Sequence, residues 1–266
     1  MQVVIQKQVV ELTDADVLGV GGEACVYRHG ALAVKVYHPP APAAKLAKVL
    51  AFPKELPPEL VAPQDIVTDT RSKPVGFTMA RVDGAEPVLK LTVRRWREGT
   101  VSNDSVVGLY TRFADALARV HARGIVYGDL NDANVLFAGR DVWLIDADSV
   151  QFAGHPCVVA NEKYLDPRLY GRDLTAAPLF DASHDWYSFA VMLWSSLLYV
   201  HPYGGIHPSL PTMLRRADAG VSVMRPEVVY PKAAGPFGIL PDDVLHWFSR
   251  VFDHAGRERM PDGLMG

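Results

Sequence analysis

The chain has 266 residues, a length that suits one large domain or two lobes. Hydrophobic residues make up 49% and charged residues 21%, so a sizeable core can form and global disorder is excluded. The formal net charge of -3, from 27 basic and 30 acidic residues, excludes a nucleic-acid-binding polycation and an acidic tail.

The first third of the chain is rich in short β-type runs, each bounded by Gly, Pro or polar residues. The predicted strands are Val3–Ile5, Val9–Leu12, Cys25–Arg28, Leu32–Tyr37, Asp65–Thr68 and Val75–Arg81. One helical pattern interrupts them from Ala43 to Phe52. Prolines before it and Pro53 after it are typical of a helix start and stop.

From about residue 104 the apolar period becomes that of helices. The stretch from Asp104 to Ala122 predicts a long amphipathic helix. Two strand-like runs follow, Asn134–Phe137 and Val142–Asp146. Further helical segments are predicted around 185–199, 209–218 and 241–252. A β-rich part followed by a helical part predicts the α+β class.

Three features bear on the compartment. The two cysteines, Cys25 and Cys157, are too few for a disulfide framework and favour a reducing environment. The N-terminal residues lack the charged leader and apolar block of a signal peptide. The longest apolar stretch, Phe189 to Val200, is too short to span a bilayer. We therefore expect a cytoplasmic protein without nucleic-acid or membrane partners.

A glycine-rich segment and a lysine strand come first among the chemical motifs. The segment from Gly19 to Tyr27 contains Gly19, Gly21 and Gly22 between two β-runs. Its backbone N–H groups can cradle phosphate oxygens, but a plain glycine-rich hairpin turn explains the pattern equally well. In the next strand Ala33 and Lys35 share a face, so Lys35 either binds an anion or faces water at a sheet edge.

Two acidic motifs follow the long helix. The loop from Tyr127 to Leu136 is rich in short polar side chains, and functional residues concentrate on such loops. Asp129 is a candidate proton acceptor and Asn134 a candidate ligand for a hard cation, with local Asx turns as the alternative. The apolar run before Asp146 places that carboxylate at the end of a buried strand, where it either binds a metal or closes a hairpin.

The order and spacing of these motifs resemble those of eukaryotic-type protein kinases over nearly the whole chain. That family has a Gly-rich loop, an A-x-K strand, an H-R-D-x-x-x-x-N loop and a D-F-G motif in this order. Three later segments resemble the end of an activation segment, the buried helix behind the catalytic loop and the closing arginine segment: 160–168, 184–190 and 257–261. The resemblance implies a two-lobed fold, with an N-lobe at 1–82 and a C-lobe at 83–266.

The resemblance also implies site roles for an ATP- and magnesium-dependent protein kinase. Lys35 would hold the α- and β-phosphates, Asp129 would orient the acceptor hydroxyl and take its proton, and Asn134 and Asp146 would hold Mg²⁺. Asn131 occupies the place of a catalytic lysine beside Asp129. The nucleotide would be covered by the glycines, sandwiched by apolar residues and bonded at a hinge: Gly19, Gly21, Gly22, Val26, Ala33, Met79, Ala80 and Val82.

The catalytic loop departs from the family pattern. Tyr127-Gly128 replaces the usual His-Arg, and Asn131 replaces the lysine. The threonine of the family aligns with Asn161, so an Asn pair is expected to supply hydrogen bonds to Asp129 without the positive charge. Between residues 147 and 168 the only hydroxyl side chains are those of Ser149 and Tyr164, which predicts that loop phosphorylation does not switch activity.

The ion pair of Lys35 is the second departure. The first predicted helix contains no acid, so Glu23, Glu55 or an unplaced acid is the expected partner of Lys35. The D-F-G motif appears as Asp146-Ala147-Asp148. Asp148 is interpreted as a solvent-facing turn residue; the alternative is that it supports the metal, since on an extended chain it lies on the same side as Asp146. The acid that normally ends the activation segment is Arg168, so the pairing of the closing arginine is expected to differ.

Three functions follow from the resemblance. The first is an active serine/threonine protein kinase, in a subgroup similar to bacterial kinase-like proteins that operate beside a PP2C-type phosphatase. The second is a pseudokinase, a nucleotide-binding or scaffold module without turnover, favoured by the replaced residues. The third is a small-molecule kinase of the aminoglycoside or choline type, which Gly128-Asp129 resembles.

Overall fold

The computed structural model describes residues 1–261 and 263. It is a mixed α+β structure that divides into two compact units. The first unit contains Met1–Gly84 and Trp143–Asp148, and the second contains Ala85–Val142 and Ser149–Gly266. The expected lobes were 1–82 and 83–266. The segment 143–148, which falls within the expected C-lobe, lies in the first unit.

The first unit is built on a seven-stranded sheet with the order β2-β1-β6-β7-β5-β4-β3. Its strands are β1 Gln2–Ile5, β2 Gln8–Glu11, β3 Val17–Val20, β4 Ala24–His29, β5 Leu32–Tyr37, β6 Ile66–Thr68 and β7 Pro74–Ala80. Neighbouring strands in this sheet pair antiparallel. The helix α1 spans Ala43–Leu50, two residues shorter than the pattern predicted. The strand β3 was not predicted, because its residues are mostly exposed and carry no apolar alternation.

The strand β5 lies inside this sheet and is buried on both faces. Its odd-numbered residues Ala33 and Tyr37 belong to an apolar cluster with Phe77 and Met79. Its even-numbered residues Val34 and Val36 pack into a second cluster on the opposite face. Because side chains alternate along a strand, Lys35 points to the face of Ala33 and Tyr37.

Backbone hydrogen bonds hold the segment Trp143–Asp148 to the first unit. Leu144 donates its N–H to the carbonyl of Glu59 at 2.7 Å, and its own carbonyl accepts from the N–H of Val61 at 2.9 Å. A parallel bridge joins Leu60 and Leu144. These bonds place the predicted metal motif in the same unit as Lys35, although 111 positions separate Lys35 and Asp146 in sequence.

The second unit is mainly helical. Its helices are α2 Leu89–Thr92, α3 Arg94–Arg97, α4 Asn103–Ala122, α5 Ala182–Leu198, α6 Met213–Asp218 and α7 Asp242–Asp253. Three short strands, β8 Glu86–Pro87, β9 Val135–Ala138 and β10 Asp141–Leu144, have the order β10-β9-β8, and the chain passes from the second unit to the first within β10. The predicted helix at 209–218 is confirmed only from Met213, where Thr212 caps its N-terminus.

The helix α5 forms the centre of the second unit. It begins after Asp181, which accepts a hydrogen bond from the N–H of Ser183 as an N-cap. Every residue from His184 to Leu198 is buried, so the helix is apolar on all sides rather than amphipathic. Phe189 and Trp194 pack edge-to-face against aromatic rings of α4 and α7, respectively. Both side chains therefore belong to the core of the second unit.

A buried ion pair joins two distant parts of the second unit. The guanidinium of Arg257 donates two hydrogen bonds to the carboxylate of Asp166, at 2.7 and 2.9 Å. Burial opposes ionisation of Asp166, but hydrogen bonds and charge from Arg257, with help from Arg168, hold the pKa of Asp166 below its ordinary value. The closing arginine segment therefore still forms an ion pair, and its acid is Asp166, two positions before Arg168.

None of the helices in residues 1–261 and 263 combines the length and apolar character that crossing a bilayer requires.

Candidate active site

Lys35 stands at the centre of a buried charged cluster in the first unit. Its Nζ donates to Asp146 Oδ1 and, at 2.6 Å, to Asp148 Oδ1. The hydroxyl of Tyr37 donates to the other oxygen of Asp148 at 2.7 Å. Lys35 and Tyr37 reach the two aspartates together because they lie two residues apart on one face of β5. We call these four residues the lysine cluster.

The two aspartates of the lysine cluster differ in exposure and backbone. The side chain of Asp146 is 36% exposed, whereas that of Asp148 is 0% exposed. Asp146 adopts a left-handed backbone with φ of 64°, which is uncommon outside glycine and marks a constrained turn. A 3-10 turn at Ala147–Ser149 then directs Asp148 inward. The partly open Asp146 is therefore the carboxylate with room for a further ligand.

Opposite charges inside the lysine cluster keep Lys35 and Asp146 ionised. Burial alone would lower the pKa of Lys35, but the charge of Asp148 and then that of Asp146 outweigh it and raise that pKa. Burial opposes ionisation of Asp146, but the charge of Lys35 outweighs it and holds the pKa of Asp146 below its ordinary value. Burial, and then the nearby Asp148 carboxylate, raise the pKa of Tyr37, so its hydroxyl keeps its proton as a donor.

The ion-pair partners of Lys35 are acids that the sequence did not place, Asp146 and Asp148. The carboxylate of Glu23, in the glycine segment, pairs with Lys45 of α1, and Lys45 Nζ also lies 3.9 Å from Asp148 Oδ2. Asp148, interpreted from the sequence as a solvent-facing turn residue, is fully buried and takes the ion-pair role. Asp146 and Asp148 are two positions apart, and this spacing was the sequence feature that indicated a shared site. No sequence pattern marked Tyr37 as a site residue.

The apolar residues predicted for the nucleotide pocket lie together in the first unit. Ala33 pairs with Met79 across β5 and β7, and Val26 pairs with Lys35 across β4 and β5. Val26 and Val82 are only partly buried where they pack against this cluster. Ile145, which the sequence analysis did not single out, packs there too. Partly open apolar side chains beside a lysine are suited to a flat apolar ring that carries an anionic group.

The glycines of the predicted phosphate loop are not needed by the packing of the protein itself. A Cβ at Gly19 or Gly22 would meet no atom within 4 Å, and one at Gly21 would make an ordinary contact at 3.6 Å. None of the three has a positive φ. Glycine also lets a ligand approach the backbone closely, and the open space at these three positions allows such an approach.

The second unit carries the polar loop from Tyr127 to Asn134. Asn131 Nδ2 donates to the backbone oxygen of Asp129 at 3.0 Å and to its Oδ1 at 3.3 Å. The N–H of Asn161 also donates to Asp129 Oδ1, at 2.8 Å. The expected Asn pair therefore bonds Asp129, with Asn161 acting through its backbone. Asn134 Nδ2 donates to the backbone oxygen of Asp129 at 3.1 Å. The amide oxygen of Asn134 is therefore the atom of this side chain that can bind a hard cation.

A buried aspartate of α5 fixes the start of this loop. Asp185 accepts hydrogen bonds from the N–H groups of Tyr127, at 2.6 Å, and Gly128, at 2.8 Å. His121 Nε2 lies 2.8 Å from the same carboxylate. Asp185, at the start of α5, therefore holds the loop at two successive N–H groups. Buried charge-assisted bonds to two successive N–H groups restrict the backbone just before Asp129.

The chain is similar to a protein kinase over part of its length. It is 26% identical over 111 residues to a probable LIM domain-containing serine/threonine-protein kinase of Dictyostelium discoideum. The matched stretch is 40% of this chain and 11% of that protein. No protein-family model matches the chain. The similarity is consistent with the kinase motifs, and it leaves the activity and substrate as proposals.

Among residues 1–261 and 263, no group of three or more His, Cys, Asp or Glu side chains is arranged to hold a metal ion. Magnesium in phosphate-transfer sites typically takes one or two protein ligands and completes its shell with phosphates and water. Such a cation does not require a group of three or more protein ligands.

The packing around Gly128 explains why no arginine precedes Asp129. Gly128 has φ of +76°, and a Cβ there would lie 2.8 Å from both Cβ and Sγ of Cys157. Phe180 would be 3.3 Å away on the same side. A side chain at this position meets both backbone strain and an occupied space.

Gly128→Ala is expected to destabilise the protein by about 2 kcal/mol or more, because αL strain and overpacking each cost about 1–3 kcal/mol. Urea unfolding measures this effect. Gly124→Ala is the matched control, since Gly124 has φ of +71° but open space around it. It therefore reports backbone strain alone. Equal losses in the two variants would contradict the packing role of Cys157.

Both hydroxyl side chains between residues 147 and 168 are inaccessible. Ser149 is 4% exposed and Tyr164 is 2% exposed. Burial raises the pKa of the Tyr164 hydroxyl, with Asp132 contributing in the same direction.

Proposed function

We propose that the chain is an ATP- and magnesium-dependent protein kinase that transfers the γ-phosphate of ATP to a serine or threonine hydroxyl. The observation that carries the proposal is the lysine cluster, in which a buried cation on a central strand sits beside a partly exposed carboxylate. A buried lysine held beside a reachable carboxylate is suited to binding a phosphate and its metal counter-ion. The partial similarity to a serine/threonine kinase supports the same activity.

The nucleotide-binding groups assigned by the proposal lie in the first unit. Lys35 binds the α- and β-phosphates, and the glycine segment covers them with backbone N–H groups. Val26 and Ala33 enclose the adenine, Met79 lies behind it, and Ala80 to Val82 bond its edge through backbone groups. The partial exposure of Val26 and Val82 supports this assignment, because side chains in a nucleotide pocket must be reachable.

The groups assigned to the transfer step lie in the second unit. The acceptor oxygen attacks the γ-phosphorus, the bond from that phosphorus to the bridging oxygen of ADP breaks, and the hydroxyl proton passes to Asp129. Asn131 and the N–H of Asn161 orient the Asp129 carboxylate by donating to Oδ1. Bound Mg²⁺ would neutralise phosphate charge, and Asp146 and Asn134 are its assigned ligands.

Asp146→Ala is expected to remove the magnesium dependence of nucleotide binding. Loss of an outer-shell partner alone typically costs 10–100-fold in metal affinity, so loss of a ligand should weaken binding at least about tenfold with magnesium present. Calorimetric titration with a non-hydrolysable ATP analogue, with and without magnesium, measures this. Asp148 still holds Lys35 in this variant, so weak metal-free binding should persist.

Asp141→Ala serves as the control for this titration, since Asp141 is an exposed aspartate five positions upstream. It should bind the analogue as the unchanged protein does. If magnesium tightens binding equally with and without Asp146, the metal role of Asp146 is wrong. If the unchanged protein binds no nucleotide, the kinase proposal itself fails.

A nucleotide-binding scaffold without transfer is the second candidate. Asn131 favours it, because this uncharged side chain bonds Asp129 where the family resemblance implies a lysine. Transfer of labelled γ-phosphate distinguishes the two candidates. A scaffold binds the nucleotide yet transfers nothing to any acceptor. The small-molecule kinase and the PP2C-type phosphatase partner stay predictions from the sequence resemblance.

A further inference from the structure

We propose that Asp148 is the positioning residue that holds Lys35 for phosphate binding, in the role that the sequence analysis sought in an acid of the first helix. The inference rests on the proposed nucleotide-binding function. It assigns different tasks to the two acids of the lysine cluster, with Asp148 aligning the lysine and Asp146 left for the metal.

The contacts of Asp148 are those of a fixed anchor. Its side chain is fully buried, one oxygen accepts from Lys35 Nζ at 2.6 Å, and the other accepts from the hydroxyl of Tyr37 at 2.7 Å. Lys45 Nζ lies 3.9 Å from Oδ2. With both oxygens bonded and no exposed surface, Asp148 can restrain Lys35 but has no open face for a cation.

Asp146 is the acid of the lysine cluster that a metal ion can reach. Asp146 also accepts from Lys35, but its side chain is 36% exposed. A metal ion on Asp146 would compete with Lys35 for this carboxylate, because both are cations. Lys35 then needs a second acid to keep its direction, and Asp148 is the acid within 2.6 Å. Burial strengthens this ion pair relative to a surface pair, since water does not screen it.

The first helix contributes a cation instead of an acid. Lys45 of α1 pairs with Glu23 and faces Asp148 at 3.9 Å. Lys35 thus pairs with two carboxylates, and Lys45 lies beyond one of them. Supplying the acid from the segment after the metal motif compensates for a helix whose residues Ala43–Leu50 contain no acid.

The test compares a non-hydrolysable ATP analogue with adenosine in Asp148→Asn, using calorimetry with magnesium, because a metal on Asp146 leaves Asp148 as the acid that holds Lys35. Asn keeps the volume and a donor-acceptor group but removes the charge. The affinity for ATP should fall about tenfold, since a hydrogen bond between charged groups is worth about that factor. The affinity for adenosine, which has no phosphates, should stay within about twofold. A general loss of structure would weaken both ligands alike.

A double-mutant cycle shows whether Asp148 acts through Lys35. Lys35→Met should weaken ATP binding, and adding Asp148→Asn to it should cause no further loss. Tyr37→Phe tests the role of Asp148 in a second way, because it removes one hydrogen bond to Asp148 and retains the ring. It should weaken ATP binding about threefold, as expected for one hydrogen bond of modest strength, and leave adenosine binding unchanged. Tyr37→Phe carries the test if Asp148→Asn fails to fold.

Lysine labelling gives a readout that needs no nucleotide. Removing the Asp148 charge should lower the pKa of Lys35, and each pKa unit lost raises the free-amine fraction about tenfold near neutral pH. An amine-reactive acylating reagent, followed by mass spectrometry across a pH series, should therefore modify Lys35 faster in Asp148→Asn than in the unchanged protein.

The outcomes separate the inference from the function on which it rests. Unchanged ATP affinity in Asp148→Asn, in a protein that binds ATP normally, overturns the role of Asp148 and leaves the kinase proposal standing. An equal loss for ATP and adenosine also overturns it, since the effect is then structural. If the unchanged protein binds no ATP, the proposed function fails and this inference fails with it.

Discussion

Asp129→Asn is expected to abolish phosphoryl transfer while nucleotide affinity stays unchanged. The asparagine oxygen can still accept from Asn131 Nδ2 and the N–H of Asn161, so the loop keeps its bonds. The amide cannot take the hydroxyl proton, and general-base catalysis typically contributes about 10²–10⁴-fold. Transfer of labelled γ-phosphate to a generic protein acceptor should fall by about that factor. Calorimetry should give the same affinity for an ATP analogue.

Asp141→Asn is the matched control for this experiment, because it makes the same chemical change at an exposed position near the loop. It should transfer phosphate at the unchanged rate. Transfer by Asp129→Asn at the rate of the unchanged protein would show that Asp129 is not the proton acceptor. Loss of both binding and transfer would instead assign Asp129 to nucleotide binding.

Asp166→Ala is expected to lower the free energy of unfolding by about 3–5 kcal/mol, the usual cost of removing one partner of a buried ion pair. The variant leaves the guanidinium of Arg257, which is 7% exposed, without its carboxylate. Arg257 also donates to the carbonyl oxygen of Val251 and stacks over Tyr187, so it cannot move to water without breaking other contacts. Urea unfolding measures the loss.

Arg168→Ala removes the other arginine that bonds Asp166 and is the control. Arg168 is 42% exposed, so screening by water should keep its contribution below about 1 kcal/mol. Equal losses in Asp166→Ala and Arg168→Ala would contradict the special role of the buried pair with Arg257.

The same aspartate predicts a pH dependence. The folded pKa of Asp166 lies below the ordinary value of 3.8, so the unfolded chain binds the proton more tightly. The stability that Asp166 supplies is therefore present above about pH 4 and is lost as the pH falls through the folded pKa. The stability difference between the unchanged protein and Asp166→Asn should shrink below about pH 4.

Local patterns in the sequence predicted the main elements because those patterns report burial directly. The short β-type run Leu32–Tyr37 identified β5 with its bounds, and the helical period from Asp104 located α4 within one residue. The helix α1 ended at Leu50 rather than Phe52, and β8, α2 and α3 were missed because elements of two to four residues have no measurable period.

Partners of charged residues were harder to predict, since pairing across the chain depends on tertiary structure. Asp148 resembled a turn residue in sequence, yet a 3-10 turn directs it into the core beside Lys35. Arg257 pairs with Asp166, 91 positions away, although the position compared with the family pattern was Arg168. Hydrophobic period specifies which side of an element is buried, but it contains no information about which charge meets which.

The burial of Ser149 and Tyr164 limits how the proposed kinase can be controlled. A modifying enzyme needs several residues of accessible chain around its target, and neither hydroxyl between residues 147 and 168 offers that without local unfolding. We therefore predict that phosphorylation of this segment does not activate the proposed kinase. Its output in a signalling circuit would then follow the supply of its substrate and the rate at which a phosphatase removes the product.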